Sequence, residues 1–144
     1  MSDLLLLTRI GGRAAAFRAQ DIRSIIELGA ITPVPRAPHH VAGLAALRSR
    51  ALTVLDARRA LGITGEAAET DERAAVVEVA GHAYALQVDR VNDVVTALGE
   101  PAAAPATLGP EWTRVALGMI ETTAGPAILI DVVGLVNGPN RAAA

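Results

Sequence analysis

The chain is written twice, and this repetition restricts the folds open to it more than any single motif does. Setting Gly81 over Gly12 aligns the flanking segments without a gap as far as Val95 over Ile26, at an offset of 69 positions. Residues 4–10 and 13–19 read as two strands joined by a Gly11-Gly12 hairpin turn, and 74–79 and 82–88 repeat them around Ala80-Gly81. Few paired residues are identical; the apolar pattern carries the match. Further on, at an offset of 75, Gly118 falls on Gly43, residues 128–130 on 53–55 and Asp131 on Asp56. The Pro- and Ala-rich residues 101–110 absorb the difference between the two offsets.

Two units, approximately 4–62 and 74–136, therefore make up one domain spanning 1–144, with 137–144 expected as a flexible tail. Each unit offers about five short strands with glycine turns, which fits a small closed barrel. The expected fold is mainly β with short helical turns, and the pattern leaves open whether the duplicated units exchange strands. Residues 20–23 read as a helical turn running into a strand at 24–28. Pro33, Pro35 and Pro38 deny ladder donors and force an extended loop.

The most informative stretch is 39–62, HHVAGLAALRSRALTVLDARRALG. Residues 51–55 are apolar and partly β-branched, as suits a buried strand. The polar tight turn Arg48-Ser49-Arg50 precedes them. Asp56 stands at an N-cap position, and residues 57–61 suit one helical turn stopped by Gly62. Gly43 and Gly118 occupy equivalent places, where close backbone approach or a positive φ calls for glycine. Asp56 and Asp131 also correspond, and each is expected to cap the turn after its strand.

Gly43, Leu44, Leu47, Arg48, Val54, Leu55, Asp56 and Arg58 fall in unbroken register on the typical segment of the CheW family of chemotaxis coupling proteins. Ala46, Ser49 and Thr53 stand where that family usually has Asn, Gly and Pro. Val88, Asp89 and Val91 match its Val-Asp-x-Val segment, read first as strand end, turn and core. The resemblance spans about residues 4–136 and implies two five-stranded, SH3-like barrels packed across a shared apolar groove. It further implies a non-enzymatic adaptor with two partners, the cytoplasmic tip of a methyl-accepting chemoreceptor and the regulatory domain of a CheA-type histidine kinase. The receptor surface would then include Leu47, Arg48 and Ser49, and the kinase contact Val34, Pro35 and Leu44. The departures at Ala46, Ser49 and Thr53 favour an alternative, a divergent scaffold of another two-component pathway with reduced receptor binding. A β-barrel enzyme with an unrecognised site is the remaining rival.

Composition narrows the chemistry. The chain has no cysteine, so disulfides and thiol chemistry are excluded. Net charge is −2 and the 13 basic residues, all arginine, are scattered, with only one Trp, one Tyr and one Phe for stacking bases. Nucleic acid is not the expected partner. Adjacent His39 and His40 point to opposite faces of a strand, and His82 is remote, so no metal or other cofactor is expected. Glu66, Glu69, Asp71 and Glu72 read as a solvated charge run. Residues 1–10 lack a basic flank and a long apolar run, so direct membrane insertion is not expected, and the expected location is cytoplasmic, at receptor arrays through partners.

Overall fold

The computed structural model describes residues 3–65, 67 and 69–139. Its strands are β1 (Leu4–Ile10), β2 (Arg13–Arg18), β3 (Ser24–Glu27), β4 (Val41–Leu47), β5 (Arg50–Asp56), β6 (Arg73–Val79), β7 (His82–Gln87), β8 (Arg90–Thr96), β9 (Ala116–Thr122) and β10 (Gly125–Ile130). Three short helices follow turns or strands: α1 (Ala57–Ala60), α2 (Pro110–Thr113) and α3 (Val132–Asn137). The expected helical turn before β3 is a 3-10 turn at Ala19–Asp21.

The strands form two five-stranded sheets, β8-β1-β2-β10-β9 and β3-β6-β7-β5-β4. Every strand of the first sheet stands where its repeat counterpart stands in the second. Neither sheet, however, is built from one unit. The first hairpin of each unit joins the last three strands of the other, through the parallel pairs β2–β10 and β7–β5. The duplicated units have exchanged hairpins.

This exchange explains why the hairpin strands are apolar on both faces and do not alternate. Leu5 and Ala16 point into the first barrel with Val95, Ile120 and Leu129. Leu6, Ile10 and Phe17, on the opposite face, enter a large core shared between the barrels. β6 and β7 repeat the arrangement, with Ala74, Val76 and Ala85 inside the second barrel and Ala75, Val77 and Leu86 in the shared core. The largest side chains of the core, Phe17 and Trp112, fill the space between the barrels.

Each sheet curls until the chain leaving one edge strand reaches the other edge. Thr32, beyond β3, bridges Leu44 on β4, and Ala102, beyond β8, bridges Met119 on β9. These crossings require Gly43 and Gly118. At Gly43, φ is 151° and an added Cβ would run into the Thr32 carbonyl oxygen; at Gly118, φ is 142° and a Cβ would lie 2.5 Å from Ala102 O.

The extra residues of the second unit are more ordered than a linker. Gly109 and Pro110 open α2, and Leu108, Trp112 and Val115 enter the shared core. Of the expected tail, Asn137 ends α3 and Gly138 rests against the His40 ring, while residues 140–144 lie outside the described residues.

Candidate interaction surface

Arg48 and Ser49 form the two-residue turn between β4 and β5, with φ of 52° and 72°. Two successive positive φ values define the hairpin turn whose twist matches its strands. Side chains with a Cβ adopt this conformation at a cost of roughly 1–2 kcal/mol each. Arg48 is exposed, and its side chain enters no hydrogen bond or ion pair among the described residues. Leu47 is half-buried beside it and Ser49 exposed. The strained turn thus presents a guanidinium fork to solvent on a rigid, core-backed strand.

Leu44 lies on the same strand, with its side chain 37% exposed. The Thr32–Leu44 bridge draws alongside it the chain that continues to Val34 and Pro35, both exposed. A turn closed by the Ala37 N–H donating to Val34 O, with Arg36 at φ 66°, gives this proline-rich segment a fixed bend. The sequence-derived positions therefore gather along β4 and its flanking loop.

The repeat reveals apolar positions that the motif did not single out. Ile25 on β3 and Val94 on β8 are equivalent in the two units, and both are exposed, Val94 by 57%. Each lies three residues beyond a residue packed in the shared core, Ile22 or Val91. Leu4, diagonal to Val94 across the β1–β8 pair, is also exposed. The signal was available in the matched spacing of Ile22, Ile25, Ile26 with Val91, Val94, Val95; what it lacked was which face met solvent.

The two aspartates differ. Asp56 Oδ1 accepts the Arg59 N–H at 3.1 Å and caps α1. Asp131 occupies the N-cap of α3 but accepts no capping bond, contrary to expectation. Its carboxylate lies against the Cα of Gly134, where a Cβ would come within 3.2 Å of Oδ2. Gly118 and Gly43 serve the edge crossings.

The acid run is not a uniformly solvated face, and Glu66 lies outside the described residues. Glu69 pairs with Arg90 at 2.9 Å. Asp71 is nearly buried, and its oxygens accept the Arg73 N–H at 2.9 Å, the Arg73 side chain at 3.1 and 3.2 Å, and the Val91 N–H at 2.7 Å. Arg73 also donates to Val91 O at 2.7 Å. The cluster stitches β6 of one sheet to β8 of the other. Burial pushes the Asp71 carboxyl upward, but the Arg73 and Val91 hydrogen bonds and the Arg73 charge prevail and lower its pKa from 3.8 to about 2. A lowered folded-state pKa contributes stability that is present above the unfolded value and lost as pH falls through the folded one. Urea unfolding should therefore show a loss of stability between about pH 4 and pH 2 that Asp71→Asn lacks. At pH 7 the same variant should be less stable by about 2 kcal/mol, the loss of charged hydrogen bonds.

His40 is buried, with Nε2 3.0 Å from Val136 O, whereas His39 is exposed. Among the described residues no group of three histidine or carboxylate side chains is placed to hold a metal. Asp89 Oδ2 accepts the Gly12 N–H at 3.0 Å, tying the first hairpin turn to the second unit, and Val88 and Val91 are buried in the shared core. Among the described residues no helix is long and apolar enough to cross a membrane.

A family model described as the CheW-like domain matches residues 4–139. A 60-residue stretch is 38% identical to chemotaxis protein CheW of Thermotoga maritima, covering 42% of this chain and 40% of that protein, well under half of either. The fold is similar to the crystal structure of scaffolding protein TtCheW from Thermoanaerobacter tengcongensis. The TM-score is 0.77 at 22% identity, over 90% of this chain and 84% of that one.

Proposed function

The chain belongs to the family of CheW-like domains, and from that membership we propose that it is a non-enzymatic adaptor coupling a chemoreceptor's cytoplasmic tip to a CheA-type histidine kinase. The observation that carries the receptor half of this reading is Arg48, exposed and, among the described residues, without a side-chain hydrogen bond or ion pair, on a turn whose two non-glycine residues hold positive φ. A planar fork of five donors suits carboxylate and carbonyl acceptors on a partner helix. Leu47 and Ser49 flank it, and the exposed Leu4, Ile25 and Val94 supply apolar area. Val34, Pro35 and Leu44 form the kinase contact. Signalling follows from geometry, because holding two partners together raises their effective concentration at each other. The adaptor acts in the cytoplasm, at receptor arrays through its partners.

Calorimetric titration with the CheA regulatory domain from the same genome, then with a receptor-tip fragment, tests the proposal. Both should bind, and Arg48→Ala should weaken only the receptor step, by about tenfold, as expected for loss of one anchoring arginine. Binding of neither partner would refute the adaptor reading. Binding of the kinase domain alone would favour the divergent scaffold, a reading motivated by Ala46, Ser49 and Thr53. Ser49→Gly discriminates further: it relieves the strain at φ 72°, and stronger receptor binding in that variant would count for the divergent scaffold.

A further inference from the structure

The two barrels are near copies, so each serves as a control for the other, and at one place they differ. In the second barrel the parallel ladder between β5 and β7 begins only at Thr53 and Tyr84. Nearer their turns the strands splay around a cleft of about 450 Å³. Leu47, Leu52, Val76 and Tyr84 line it, together with Arg50 and His82, and among the described residues no carboxylate does.

Hairpin geometry decides what the main chain offers there. In a two-residue hairpin the residues beside the turn bond each other, and the next residue turns its N–H and C=O to the opposite side. Leu47 and Arg50 form one such pair, Val79 and His82 the other. Ala51 and Ala83 therefore turn their main-chain groups into the cleft. The same alternation appears on the outer edges, where Leu44 and Val76 bond Thr32 and Arg23. Short of the first rung, the Ala51 N–H and C=O and the Ala83 N–H have no ladder to join, and both residues are exposed.

In the first barrel the ladder between β10 and β2 also begins late, at Ile128 and Ala15. There the residue equivalent to Ala51 is Pro126, which has no N–H to offer. Gly125 replaces Arg50. Arg13 replaces His82, but it donates to Leu108 O at 3.5 Å and stacks over Trp112 at 5.7 Å. The first barrel is thus blunted against pairing at this place, as sheet edges commonly are. The second keeps its donors, its acceptor and two exposed basic side chains.

We propose that the cleft of the second barrel receives an extended, acidic segment of a partner protein. The segment adds as a strand between the open ends of β5 and β7 and sets its carboxylates against Arg50 and His82. Main-chain bonds supply affinity in such strand addition, and the basic rim selects for charge. The site shares Leu47 with the Arg48 contact but rests on Arg50, Ala51, His82 and Ala83, so its failure would leave the adaptor reading in place.

The test titrates 15N-labelled protein with two capped seven-residue peptides, one alternating valine and glutamate, the other valine and lysine. The glutamate peptide should shift the Ala51 and Ala83 amides and slow their hydrogen exchange, and should bind at least about tenfold more tightly than the lysine peptide. Arg50→Glu and Ala51→Pro should each weaken it by about tenfold or more, with the rest of the spectrum unchanged. Ala51→Pro copies Pro126, so the fold already accommodates proline at the equivalent position. No binding at millimolar peptide, equal binding of both peptides, or shifts confined to other surfaces would each overturn the proposal.

Discussion

Gly43→Ala is expected to lower the stability of the fold by about 4 kcal/mol, from backbone strain of 1–3 kcal/mol together with overpacking of similar size. Both terms follow from one crossing. At φ 151° any L side chain is strained, and a Cβ there meets the Thr32 carbonyl while lying 2.9 Å from Ile31 Cγ2. The obstructing chain cannot simply retreat. Thr32 N–H donates to Leu44 O at 2.8 Å, and Thr32 O accepts the Leu44 N–H at 2.9 Å. Giving way would break the bridge that closes the second barrel. The melting temperature should fall by roughly 10 °C for a chain of this size. Gly12→Ala is the control, because Gly12 also has a positive φ, 81°, yet a Cβ would meet nothing within 4 Å. It should cost only the strain, about 1–2 kcal/mol. Urea unfolding of both variants checks the prediction; equal losses would show that the crossing is not what demands glycine. Gly118→Ala should resemble Gly43→Ala, since Ala102 O lies 2.5 Å from its Cβ position.

The same crossings show what sequence reasoning can reach. The repeat was legible because each strand keeps its place relative to a glycine, and β4 and β9 fall in register with those glycines. The hairpin exchange was not legible, because the apolar pattern of Leu4–Ile10 specifies two buried faces without saying which strands cover them. Local pattern encodes burial, while partner choice depends on packing at long range. At the candidate surface, the turn at Arg48 and Ser49 was readable from polarity and spacing. The burial of Asp71 was not, since a carboxylate in an acidic run is distinguished only by what folds over it. Nor was the exposure of Ile25 and Val94: their spacing matches that of buried neighbours, and only three-dimensional placement leaves them in solvent.

α2 is the element whose existence the linker composition concealed, although Gly109-Pro110 carries a helix-start signal, proline at the first helical position. Trp112→Ala tests whether this short insertion is ornamental or part of the core. The side chain is only 5% exposed and packs in the cluster shared by both barrels. Its ring also approaches the Gly11 turn and carries the Arg13 guanidinium on its face. Truncation removes a large apolar surface from a site walled by two β-units, and should cost about 4 kcal/mol, within the range for buried Trp→Ala changes. Trp112→Phe should recover more than half of that, since it restores most of the packing and leaves an aromatic face for Arg13. Circular dichroism during urea unfolding is the suitable probe, because Trp112 is the chain's one tryptophan. The transition should remain single in the variant: residues of both units meet in the shared core, so neither barrel has an independent interior large enough to unfold alone. A loss below about 1 kcal/mol, typical of surface substitutions, would instead place α2 outside the cooperative core.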